Sequence, residues 1–197
     1  MKKVLIAYMS RSGSTREVAE FMQKELQSHG HQVDVRPIKE VDDFSGYDVV
    51  IAGGMLYRFG WHEAIVKFLN KYMGELQKKK VALFVTGLGL VKTEMVDKAG
   101  YPVYIDPTML NQPANPQKLG FWEKQSVMES YLRLVLRTIE RIKPVSLGFF
   151  SGKLDYSTLS FGEKLIMRLL ASMTSIKSGD HRNWDAIREW VKSLAIK

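Results

Sequence analysis

The stretch Val4–Gln23, VLIAYMSRSGSTREVAEFMQ, passes from a near-continuous apolar run into an amphipathic pattern through a joint of six residues, Ser10 to Thr15. Five of those six are small or hydroxyl-bearing. An apolar run of this kind suits a strand covered on both faces. Val18, Ala19 and Met22 behind the joint recur at helical spacing. A buried strand, a tight joint and a helix form the opening unit of an α/β sheet.

Working outward, the same alternation repeats along the chain. Val4–Met9, His31–Ile38, Tyr47–Gly53, Lys80–Thr86 and Pro144–Ser151 read as strands. Thr15–His29, His62–Met73, Phe121–Ile142, Leu159–Met173 and Trp184–Ala195 read as helices. The expected fold is α/β: a doubly wound, five-stranded parallel sheet of order 2-1-3-4-5, with ligands held at the carboxyl ends of the strands. One domain over residues 1–197 is expected. The segment Leu88–Gly120 exceeds an ordinary connection and holds four of the six prolines, Pro102, Pro107, Pro113 and Pro116, with at most a short helix near Val91–Ala99. It leaves the fourth strand on the ligand side, as a lid over the site or as a surface insertion.

Composition narrows the chemistry. The chain has no cysteine, which removes disulfides, thiolate metal sites and cysteine nucleophiles. His29, His31, His62 and His181 are dispersed, and no carboxylate cluster has metal-ligand spacing, so no metal is expected. The net charge of +8 favours anionic partners. No helix concentrates a basic face interleaved with aromatics, so nucleic acid is not an expected partner. The apolar run behind Lys2-Lys3 ends at Tyr8, shorter than an export signal, and no stretch reaches bilayer-spanning length. The expected location is the cytoplasm, or a peripheral position at the inner membrane face. The run Lys78-Lys79-Lys80 reads as a solvated loop opposite the ligand end.

At the joint, the first N–H groups of the helix lack internal partners, and with the helix dipole they attract an anion such as phosphate. Ser10, Ser12, Ser14 and Thr15 add hydroxyl donors, and Gly13 permits a tight turn. A cap alone needs one such residue. Arg11 adds positive charge or points to solvent. The pattern is neither a Walker loop, GxxxxGK(S/T), nor a GxGxxG fingerprint. Ser10-Arg11-Ser12-Gly13-Ser14-Thr15 fits S/T-x-S/T-G-x-T, and here the sequence resembles the flavodoxin-like family, whose loop holds the phosphate of FMN.

That resemblance implies that the FMN ring lies along the ends of strands three and four. Gly53-Gly54-Met55-Leu56-Tyr57-Arg58-Phe59-Gly60-Trp61-His62 offers two glycines for close backbone approach and three aromatics. Tyr57 is the first choice for ring contact, with Trp61 packing at the next helix; for each aromatic, ordinary packing is the alternative. Gly54, Met55, Leu56 and Tyr57, with Thr86, Gly87, Leu88 and Gly89, form the expected ring contacts. Arg58 and His62 are the weak catalytic candidates; a solvated arginine and a locally bonded helix-start histidine are their alternatives. No aromatic follows strand four until Tyr101, which leaves one ring face open to a second ring system.

The last third adds GFFSGKLDY (Gly148–Tyr156), an amphipathic stretch Leu159–Met173, and Trp184-x-x-Ile187-x-x-Trp190 in a final helix that Asn183 caps. Phe161, Leu165, Ile166, Leu169, Leu170 and Met173 form one stripe, with Lys164 and Arg168 off it. The stripe docks on the sheet, meets a second copy in a homodimer, or rests on a membrane. Together with the SRSGST loop and IAGGMLYRFGWHEAIVKFL, these features resemble the menaquinone-dependent protoporphyrinogen IX dehydrogenases of bacteria over nearly the full chain. The resemblance implies Gly152 and Asp155 as further cofactor contacts. It also implies an FMN-dependent oxidoreductase moving electrons between a small organic substrate, porphyrinogen or quinone-like, and an acceptor. The alternative is a non-enzymatic flavodoxin carrier serving a redox partner protein, which the +8 charge fits poorly.

Overall fold

The structure, a computed structural model, describes residues 1–57, 60–91, 100–111, 118–120, 123–124, 126–133, 135–155 and 178–196. In chain order these hold β1 (Lys3–Met9), α1 (Ser14–Ser28), β2 (Gln32–Pro37), β3 (Val49–Tyr57), β4 (Gly60–Trp61), α2 (Glu63–Lys71), α3 (Met73–Leu76) and β5 (Lys80–Gly87). There follow β6 (Leu90–Val91), β7 (Val103–Ile105), β8 (Leu110–Asn111), α4 (Met128–Leu132), α5 (Leu136–Ile142), β9 (Ser146–Ser151), β10 (Lys153–Leu154), β11 (Gly179–Asp180) and α6 (Trp184–Ser193). Arg58, Phe59, the helix proposed near Val91–Ala99 beyond Val91 itself, and the stripe at Leu159–Met173 lie outside the described residues. No helix among the described residues is long and apolar enough to cross a membrane.

The main sheet runs β2-β1-β3-β5-β9-β7, with parallel pairing throughout and β4 folded back antiparallel on β3. The five expected strands therefore hold the expected order. A sixth parallel strand, β7, extends the sheet beyond β9 with Tyr104 opposite Gly148. This edge strand belongs to the long segment after the fourth predicted strand. That segment also sends β8 back to pair with β6.

Alternation along each strand divides the core into two layers. Leu5, Ala7, Val50, Ala52, Leu83, Val85, Leu147 and Phe149 face one side, packed with Ile65, Phe68 and Leu69 of α2 and Leu132 and Ile139 of α4 and α5. Val4, Ile6, Val49, Ile51, Ala82, Phe84 and Phe150 face the other, packed with Val18, Ala19, Met22 and Leu26 of α1 and Ile187, Trp190 and Val191 of α6. Both faces are covered, which is why these strands read as continuous apolar runs. Trp190 is fully buried and donates its indole N–H to Ser146 Oγ at 2.9 Å.

Three expectations change. The single helix predicted over Phe121–Ile142 is interrupted: among the described residues Glu123–Lys124 are helical, Ser126 and Val127 are not, and α4 and α5 follow. Val135 leaves helical geometry at φ −122°, ψ −3°, and Lys143 ends α5 at φ 54° just before Pro144, which disfavours a preceding helical residue. The helix predicted over His62–Met73 breaks at Tyr72, φ −104°, ψ 16°, into α2 and α3. The lysine run is not simply solvated: Lys79 Nζ donates to the Tyr47 carbonyl at 2.7 Å, and Lys80 Nζ donates to the Leu194 carbonyl at 2.8 Å, tying the end of α6.

Candidate functional site

The carboxyl ends of β1, β3, β5 and β9 meet at one edge of the sheet, and the joint after β1 enters there. Gly13 is the residue before α1 and takes φ +89°, a left-handed conformation that glycine adopts without a side-chain clash. Its N–H donates to Ser10 Oγ at 3.0 Å, which closes the turn. As a glycine this residue offers no side-chain cap, and among the described residues no side chain caps α1, so its first amides suit another acceptor. Arg11 and Ser12 are exposed, while Ser10 and Ser14 are half-buried. Thr15 is buried, and its Oγ1 meets Thr86 Oγ1 of β5 at 2.9 Å. The joint is thus fastened to the end of β5.

At β3 the sequence reading needs correcting. β3 continues to Tyr57 and turns back through β4, so Gly53 and Gly54 lie inside the sheet and are buried. A Cβ on Gly53 would stand 2.3 Å from the Phe84 carbonyl and ring, so this glycine admits a core phenylalanine rather than a ligand. Likewise a Cβ on Gly87 would stand 2.5 Å from Leu56. The Gly54 carbonyl accepts the Trp61 indole N–H at 3.1 Å, and the Met55 carbonyl accepts the His62 N–H at 3.1 Å. Trp61 is buried, as expected of a packing residue. Met55, Leu56 and Tyr57 become half-exposed as the strand leaves the core.

Tyr57 lies between two neighbours. The Arg11 guanidinium carbon sits 4.8 Å from its ring centroid, and the His62 ring lies 5.5 Å away. Arg11 is therefore held over an aromatic face and bridges the β1 joint to the end of β3. His62 caps α2, its Nδ1 accepting the Ala64 N–H at 3.2 Å. Burial and then the Arg11 charge push the imidazole below its ordinary value, with Glu63 opposing them. Neutral imidazole is the form that can accept that bond.

Beyond β5 and β9 the backbone is tied down. The Gly152 N–H donates to the Gly87 carbonyl at 2.6 Å, and the Gly152 carbonyl accepts from His181 at 3.1 Å. Leu88 is half-buried and Gly89 buried; the Gly89 carbonyl accepts the Tyr131 hydroxyl at 2.9 Å. Asp155 lies past β10, 3.7 Å from Lys153 Nζ. Thr15 with Thr86, Arg11 with Tyr57, and Gly87 with Gly152 are brought together.

Three supporting residues were missed in the sequence. Tyr131 pins the loop after β5. Asp106 is fully buried, and it accepts from Ser151 N–H at 3.1 Å, Thr108 N–H at 2.9 Å, Thr108 Oγ1 at 2.8 Å and Asn183 Nδ2 at 3.1 Å. Asp106-Pro107-Thr108 carries a legible helix-start signal, an acidic cap before proline, but nothing local announces Ser151. Asn183 also caps α6 as expected, its Oδ1 accepting the Ala186 N–H at 3.2 Å. Arg182 is the third, packed at the first turn of α1.

Comparison with known proteins adds the lineage. A stretch of 94 residues is 30% identical to protoporphyrinogen IX dehydrogenase (quinone) of Escherichia coli strain K12, covering 47% of this chain and 52% of that protein. The match thus spans about half the length of that relative. In three dimensions the chain is similar to a short-chain flavodoxin associated with a PDU bacterial microcompartment, with TM-score 0.54, 12% identity and coverage of 98% and 97% of the two chains. It is also similar to oxidised flavodoxin 2 from Bacillus cereus, with TM-score 0.52, 15% identity and coverage of 98% and 97%. The flavodoxin domain matches residues 5–180, so that, with the parallel order and the joint after β1 already described, the chain belongs to the flavodoxin domain family.

Proposed function

We infer that the chain is an FMN-binding oxidoreductase that moves electrons between an organic, anionic or quinone-type substrate and an acceptor. The observation that carries this reading is the uncapped start of α1 behind a hydroxyl-rich joint closed by Gly13. The residues present fit a phosphorylated flavin. The amides of Ser12, Ser14 and Thr15 and the hydroxyls of Ser10, Ser12 and Ser14 would hold the phosphate. Tyr57, Met55, Leu56 and the backbone of Thr86–Gly89 would border the ring, with Gly152 and Asp155 at its far side. Bound FMN supplies hydride or stepwise electron chemistry, and the protein supplies position and local charge. Arg11 over Tyr57 offers a fixed cation to an anionic group at the same edge.

The enzyme reading over a carrier reading is supported by the +8 charge and by the partial likeness to a quinone-dependent dehydrogenase. A porphyrinogen or quinone substrate is the specific form of this proposal. Purified protein is expected to be yellow and to release FMN on heating. Anaerobic flavin bleaching with protoporphyrinogen, followed by steady turnover with a quinone, would support the enzyme. Reduction only through a partner protein would favour the carrier, and failure to retain or take up FMN would remove both.

A further inference from the structure

Against the first turn of α1 stands a charged cluster that the cofactor reading does not use. The Arg182 side chain retains 5% exposure although Glu17 and Asp180 beside it retain 50% and 43%. Its guanidinium forks onto Asp180, Nε to Oδ1 at 2.7 Å and Nη2 to Oδ2 at 2.5 Å. Nη1 donates to Glu17 Oε2 at 2.6 Å and reaches the Ser14 carbonyl at 3.5 Å. The same group lies 4.6 Å from the Trp184 ring centroid, and Trp184 packs on Phe21 of α1 at 4.9 Å.

Each contact has a separate consequence. The bidentate Asp180 pair and the Trp184 face fix the plane of the fork. With the plane fixed, Nη1 can point only toward α1. There it meets Glu17, an acidic residue of the first turn. A carboxylate there repels a dianion held at the same helix end. Pairing with the guanidinium, whose charge Asp180 shares, offsets part of that repulsion, and the Ser14 contact holds the first turn in place.

The geometry points to Arg182 as the residue that sets phosphate selectivity in the joint after β1, by pairing with Glu17 beside the amides that receive the anion. This rests on the reading of that joint as a flavin-phosphate site. Arg182 acts through Glu17 and the helix end, as a positioning residue that touches no reacting atom.

The test compares FMN with riboflavin, which carries the ring without the phosphate, by flavin-fluorescence quenching on the full chain. Arg182→Ala is expected to weaken FMN about three- to tenfold and to leave riboflavin within about twofold, the FMN loss shrinking at high ionic strength. Adding Glu17→Gln to that variant restores FMN affinity, while Glu17→Gln alone leaves it at or above the starting level. Arg182→Gln, uncharged but of similar reach, serves the same comparison if the alanine variant does not fold. Equal loss for both flavins, no restoration by Glu17→Gln, or unchanged FMN affinity overturns the proposal. If the unaltered chain binds neither flavin, the cofactor reading itself fails, a result distinct from those three.

Discussion

The hydroxyls of Thr15 and Thr86 meet at 2.9 Å in the buried ground between α1 and β5. Residues 71 positions apart thereby join the start of α1 to the carboxyl end of β5. Thr15→Val keeps the shape and orphans one hydroxyl, which should cost about 1–2 kcal/mol. The double variant with Thr86→Val leaves no orphan and should recover part of that loss. Urea unfolding of the four proteins measures both. A double variant as unstable as the sum of the singles would show that the hydroxyls do not act as a pair.

Asp106 ties three elements together: β9 through the Ser151 N–H, its own turn through Thr108, and the start of α6 through Asn183. Asp106→Ala strands the buried Ser151 N–H and removes the shared acceptor of Thr108 and Asn183, which should cost about 3 kcal/mol. Asn183→Ala removes the α6 cap and one donor, for about 1–2 kcal/mol. Denaturant midpoints give the comparison. An Asp106→Ala protein no less stable than the Asn183 variant would deny the carboxylate its central place.

Local patterning carried the strand order and the β1 joint, because each strand is covered on both faces and each turn residue acts within its own loop. It failed where the deciding partner is distant. Gly53 looked like room for a ligand, yet the body that fills that room is Phe84; no local signal separates the two. β7 is three residues long and stands between Pro102 and Pro107, so it had no run long enough to register. The break at Val135 has neither glycine nor proline to mark it. Asp106 and Ser151 are 45 residues apart, and only the fold brings them into contact.

His62 gives a pH signature with a definite sign. Its folded value lies below the ordinary 6.5, through burial and the Arg11 charge. The unfolded chain therefore binds more protons in that interval, so stability is fully present above about 6.5 and falls as pH drops toward the folded value. His62→Asn, which can still cap α2, should flatten that part of the stability profile, leaving the contribution of His31, also held low by burial. Arg11→Ala should raise the His62 titration midpoint, read by NMR of the imidazole. A midpoint that does not move would place the guanidinium away from the ring.

The loop after β5 depends on a hydroxyl contributed from α4. Tyr131 is largely buried, its phenol is pushed above its usual range by that burial, and it donates to the Gly89 carbonyl. Tyr131→Phe keeps the ring packing and leaves the carbonyl without its partner, at about 1–2 kcal/mol. Because that carbonyl belongs to the segment proposed to border the flavin ring, the loss should be local. Amides from Leu88 to Leu90 should exchange faster with solvent, and flavin affinity should fall for FMN and riboflavin alike. Tyr104 provides the contrast, since its hydroxyl donates to Glu189 on the surface at 3.1 Å. Tyr104→Phe should change stability by a few tenths of a kcal/mol and leave flavin binding where it was. If both substitutions altered flavin binding equally, the hydroxyl of Tyr131 would have no special hold on the loop.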